Sequence, residues 1–112
     1  MAKLPDPVIS NIFTIQRRII ECLDSTTATE FRLFEQMGET AEILPELEEL
    51  QNIRERLLSS YSRLNTLLLR VTQSQPVAAT DMLNLLYRAS ETGQATLDAS
   101  VASLQEIQRN WN

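Results

Sequence analysis

Apolar residues recur along most of this chain at intervals of three and four, the spacing of one face of an α-helix. Between Val8 and Leu33 two rows run in phase, each in steps of seven. One holds Ile12, Ile19, Thr26 and Leu33; the other holds Val8, Ile15, Cys22 and Thr29. Asp6 and Pro7 make a helix start, an acidic cap followed by a residue whose missing N–H costs nothing in the first turn. The stretch from Asp24 to Glu30 is poor in helix formers, and Thr27 with Glu30 has capping-box spacing. A loop there resets the phase, yet the phase is kept. The pattern therefore predicts one helix over 7–37, kinked near Thr26 or, in the competing picture, broken there to give four helices. Gly38 supplies the stop.

The second segment has the plainest period. Leu47, Arg54, Tyr61 and Leu68 form one heptad row, and Leu50, Leu57, Leu64 and Val71 the other, with Ile53, Leu58 and Leu67 widening the seam. Pro45 marks its first turn, and the predicted span is 45–73. Ser74-Gln75-Pro76 is the next break, and the third helix is predicted over 76–109. Its rows are Leu83, Ser90, Leu97, Leu104, Trp111 and Leu86, Gly93, Ser100, Ile107. Gly93 in mid-helix costs about 1 kcal/mol relative to Ala, which a close helix approach can offset. Short links force neighbours to run antiparallel. The expected fold is all-α, a single domain over 1–112 built as an up-down-up bundle of three long helices.

Composition agrees. The chain has 112 residues with 43% hydrophobic content, only two Gly and four Pro, too few turn formers for a many-stranded β protein and too apolar for disorder. No run approaches the 18 apolar residues of a membrane helix, so no membrane insertion is expected. MAKLPDPVIS lacks the apolar core of a secretory signal. With a single Cys, at position 22, a reducing cytoplasmic setting is the default.

Charge narrows the function. The net charge of −5 disfavours nucleic acid and anionic lipid as partners. The chain contains no His, which removes the commonest general base and metal ligand. One Cys cannot make a usual zinc site, and two isolated Gly cannot make a phosphate loop. We expect neither catalysis nor a cofactor nor a metal. Glu42, Glu46 and Glu49 have one-face spacing, but six Glu and no basic residue over 35–49 read as an acidic helix start placed at the positive dipole end. Arg56, Arg63 and Arg70 make a stripe opposite the seam of the second helix, the usual wet face of a bundle.

What the pattern does show is an excess of apolar surface. Phe13, Ile20 and Phe34 form a second ridge on the first helix, widened by Phe31. The third helix is apolar nearly all round at Met82, Leu83, Leu85, Leu86 and Tyr87, and Leu69 falls outside the seam of the second. Ile12, Phe13, Leu69, Leu85 and Tyr87 are expected to cluster at one end. Such surface marks an interaction site. The leading expectation is thus a non-enzymatic interaction or assembly module, a homo-oligomer or a subunit of a helical complex, with Phe13, Ile20, Phe31, Phe34, Leu69, Met82, Leu85 and Tyr87 at the interface. The alternative is a small regulatory protein, taking a ligand at a waist of Thr26, Thr29, Tyr61, Ser90 and Gly93 or an acidic partner on the Arg stripe. Arg54, a charge in the seam, is expected to lay its stem on apolar surface or to pair with Glu21 or Glu30.

Overall fold

The computed structural model describes residues 4–74 and 79–111. It contains three long helices, α1 (Asp6–Met37), α2 (Leu44–Gln73) and α3 (Thr80–Asn110), with a single 3-10 turn at Ala41–Ile43 before α2. The up-down-up bundle expected from the heptad rows is the fold. The rod measures 56 × 19 × 17 Å and has a radius of gyration of 17.2 Å, against roughly 13 Å for a rounded domain of this length.

α1 is one helix. Thr26 is fully buried and Thr29 nearly so, yet neither breaks the ladder. The Thr26 hydroxyl donates to the Cys22 carbonyl at 2.7 Å and the Thr29 hydroxyl to the Ser25 carbonyl at 2.8 Å. Bonded to the preceding turn, a buried Thr is satisfied inside its own helix, so neither a kink nor a break is required. The start differs from expectation. Asp6 is the first helical residue and not the cap; extended Pro5 precedes it and its carbonyl accepts from Val8 at 3.0 Å. The carboxylate instead lies in the first turn, where the helix dipole favours it. At the other end Gly38 takes φ 65° and donates to the Phe34 carbonyl at 2.9 Å, a positive φ that a side chain resists.

α3 begins at Thr80, after an extended Ala79. The start expected at Pro76 lies outside the described residues. Ser74 ends α2, its hydroxyl donating to the Arg70 carbonyl at 2.9 Å.

The core is a column of Ile12, Ile15, Ile19 and Leu33 from α1, Leu50, Ile53, Leu57, Leu64 and Val71 from α2, and Leu86 and Leu97 from α3, with Leu4 and Ile43 closing opposite ends. α2 packs more extensively on α3 than α1 does on either. The cause is the run of small residues on α3: Ala89, Ser90, Gly93 and Ser100 are all buried. A Cβ added at Gly93 would stand 3.2 Å from Leu64 Cδ1 and 3.6 Å from Ile15 Cγ2, so the glycine lets both neighbours in.

Two polar bridges fix the height of α1 against α3. Asn11 Nδ2 donates to Ser90 Oγ at 3.2 Å, and Gln108 Nε2 donates to Thr29 Oγ1 at 3.1 Å. Both pairs are separated by 79 residues, as two parallel helices in constant register require. Gln16 is less well served. It is 6% exposed, and its Nε2 has no hydrogen-bond partner among the described residues. An unpaired buried amide costs about 1–3 kcal/mol, while an apolar residue of similar shape costs nothing there. Gln16→Leu is therefore expected to raise the unfolding free energy by about 1 kcal/mol, read as a later urea midpoint at unchanged slope.

Candidate interaction face

The ion pair between α1 and α2 orients the outer surface. Arg54 Nη2 lies 3.4 Å from Glu30 Oε1, both half-buried. Of the two acids considered for Arg54, Glu30 is the partner. The pair shows which flank of each helix borders the other. On α1 that flank carries the row Gln16, Leu23, Glu30; one step outward lies Phe13, Ile20, Thr27, Phe34, again in steps of seven. On α2 the bordering row is Leu47, Arg54, Tyr61, and the next row outward is Leu44, Gln51, Leu58, Asn65.

These outward rows are where the apolar surface is concentrated. Nine large hydrophobic side chains are exposed among the described residues, and seven of them lie on α1 and α2: Phe13, Ile20, Phe31, Phe34, Leu44, Leu58 and Leu69. Phe31 is 63% exposed and Phe13 56%. Helical spacing places all seven on the side where α1 meets α2. A shallow cleft lined by Phe34, Thr40, Leu44 and Leu47 extends the same surface past the end of α1.

The expected cluster at one end is corrected in part. Ile12 is fully buried in the core. Met82 is half-buried, packed on the core with its sulfur 3.5 Å from Ser74 Oγ, because the start of α3 must cover the last turn of α2. Leu85 and Tyr87 are exposed, but two residues apart on a helix they point about 200° apart, one toward the α2 flank and the other toward α1. Tyr87 borders a groove with Pro7, Val8, Asn11, Ser90 and Glu91. Leu44 and Leu58, conversely, belong to the exposed face although neither stood out in the sequence. Leu58 had the spacing of a seam residue, but it sits about 100° around the helix from Leu57 and faces out.

The waist does not assemble. Gly93 packs on Ile15, and Ser90 bonds Asn11. Thr26 lies eleven residues beyond Ile15, roughly 16 Å further along α1 at 1.5 Å per residue. Thr29 is farther still, bonded to Gln108. Tyr61 is half-buried on α2. Ser90 with Gly93 and Thr26 with Thr29 thus fall at two separate stations, their hydroxyls already bonded, and do not form one pocket. Heptad rows report the angle of a residue around its helix but not which residues of two helices share a level.

The remaining candidates carry less. In the stripe, Arg56 reaches Glu49 at 3.1 Å across the exposed surface, a kind of pair worth little. Glu42 lies in the 3-10 turn, apart from Glu46 and Glu49 on α2. Burial pushes the Cys22 thiol up from its ordinary range, with the nearby Thr26 hydroxyl offsetting part of the rise. A thiol held neutral is a poor nucleophile. None of the described helices is long and apolar enough to cross a membrane. Neither a protein-family model, nor a curated protein, nor a solved structure matches this chain.

Proposed function

We propose that this chain is a non-enzymatic protein-interaction module that seats a helical partner along the α1–α2 face. One observation carries the reading: seven of the nine exposed large hydrophobics share that face. Scattered apolar residues are normal on any surface, whereas a contiguous patch is where partners bind. The heptad spacing of Phe13, Ile20, Thr27 and Phe34 suits a helix as occupant, since ridges at that interval receive the side chains of another helix. The charge balance fits a protein partner better than nucleic acid, and the buried free thiol of Cys22 suits a reducing, cytoplasmic setting.

The reading is tested in extract from the native source. Size separation with light scattering is expected to find the wild-type chain in a particle larger than its own 12.8 kDa. Ile20→Asp, at an exposed site of the ridge, is expected to release it with far-UV helicity unchanged. A wild-type chain that runs alone in extract, indistinguishable from Ile20→Asp, sinks the reading.

A further inference from the structure

We infer that the occupant of the α1–α2 face is a second copy of this chain, laid antiparallel across it about a two-fold axis at the level of Leu58. The inference rests on the reading above and adds the partner and its orientation.

Charge is the first argument. Along residues 24–57, the end where α1 runs into α2, nine acidic residues stand against three arginines, a net −6. At the opposite end, residues 6–23 of α1 and 59–73 of α2 hold four arginines against two acidic residues, a net +2. The α1–α2 half of the rod is therefore strongly polar along its length. A second copy set parallel brings acidic end to acidic end, which is repulsive. Set antiparallel, each acidic end lies on the other copy's basic end, and the attraction acts twice.

Symmetry is the second. The outward row of α2, continued to Thr72, is centred on Leu58, with Gln51 and Asn65 seven residues to either side and Leu44 and Thr72 fourteen. The outward row of α1 has its midpoint between Ile20 and Thr27. The Arg54–Glu30 pair sets Leu58, four residues on, within about 4 Å of that midpoint, because the two helices run in opposite directions. One axis near this level therefore lays each row antiparallel along its own copy. Leu58 meets its own equivalent, Gln51 comes level with Asn65 of the second copy, and Phe13 comes within about 8 Å of level with Phe34. A two-fold interface demands such self-complementarity.

Area is the third. Seven side chains, each about half exposed and presenting roughly 150–200 Å² when free, offer on the order of 600 Å² of apolar surface. A stable interface takes about 800 Å² from each partner, somewhat more than half of it apolar. The face is the right size for one more copy.

The experiment uses the purified full chain. Sedimentation is expected to give twice the 12.8 kDa chain mass at micromolar concentration, with the dimer loosened by high salt, which screens the end-to-end charge. Leu58→Asp, on the axis, is expected to weaken association at least about 100-fold. Under mild oxidation, a mixture of Gln51→Cys and Asn65→Cys chains is expected to form a covalent dimer, and neither variant alone. Self-linking of either single variant means a parallel arrangement and overturns the inference, as does a purified chain that stays monomeric. If the purified chain is monomeric while the extract still holds an Ile20-dependent complex, only the second copy is excluded and the interaction reading survives; if both fail, both fall.

Discussion

Truncating Leu57 to alanine is expected to remove about 2–5 kcal/mol of stability, while the same change one residue on, at Leu58, is expected to shift it by less than about 0.5 kcal/mol in dilute solution. The two leucines have the same chemistry and helical environment. Leu57 is 0% exposed and Leu58 49%. Removing the Leu57 side chain forfeits the apolar area it withdraws from water and leaves a cavity between three helices, which the rods cannot close without sliding past one another. Removing the Leu58 side chain uncovers nothing within one subunit. Urea unfolding followed by Trp111 fluorescence at nanomolar concentration, below the range in which two copies pair, measures both. Equal losses at the two sites would show that the Leu58 side chain belongs to the core, and would remove the centre of the proposed interface with it.

Gly93→Leu is expected to be comparably severe, about 3 kcal/mol, or a melting point lowered by roughly 12 °C at about 4 °C per kcal/mol. The reason is close approach and not backbone freedom, since the residue lies in regular helix. With Leu64 Cδ1 3.2 Å from the position of a new Cβ, a longer side chain has no free volume and must push α2 and α1 off α3 together. Gly93→Ala makes the useful control. Its methyl group gains about 1 kcal/mol of helix propensity and asks only a few tenths of an ångström from the flexible end of Leu64, so the parent and the alanine variant are expected to melt within about 4 °C of each other. A leucine variant as stable as the parent would mean that α3 does not depend on this glycine for its packing.

The helices and their inward faces were legible because burial imposes a period. Ile12, Ile19, Leu33, Leu50, Leu64 and Leu97 declare themselves by recurring on one stripe. The ridge of Phe13, Ile20 and Phe34 was legible for the same reason, as a second stripe where one suffices. Leu44 and Leu58 were not, since a leucine near the seam has core spacing whether it faces in or out, and only the true helix axes decide. Leu4 and Ile43, both buried, lie outside the periodic runs and close the ends by chain path alone. The supposed waist failed on a different ground. Level along a bundle is set by loop length and by contacts such as Asn11–Ser90 and Thr29–Gln108, none of which has a signature in a single helix. The unsatisfied Gln16 amide was equally invisible, because a glutamine one step from the ridge looks solvent-facing.

The odd number of helices has a mechanical consequence. Leu4 lies at one pole of the 56 Å rod and Trp111 at the other, since α1 and α3 point the same way. A segment joined before Leu4 and another joined after Trp111 leave in opposite directions, held most of the rod's length apart. A pull between them loads the bundle along its long axis, in shear across the whole packed column, where many small contacts yield together and not one at a time. Four helices would return the chain to its starting pole; three make it a strut.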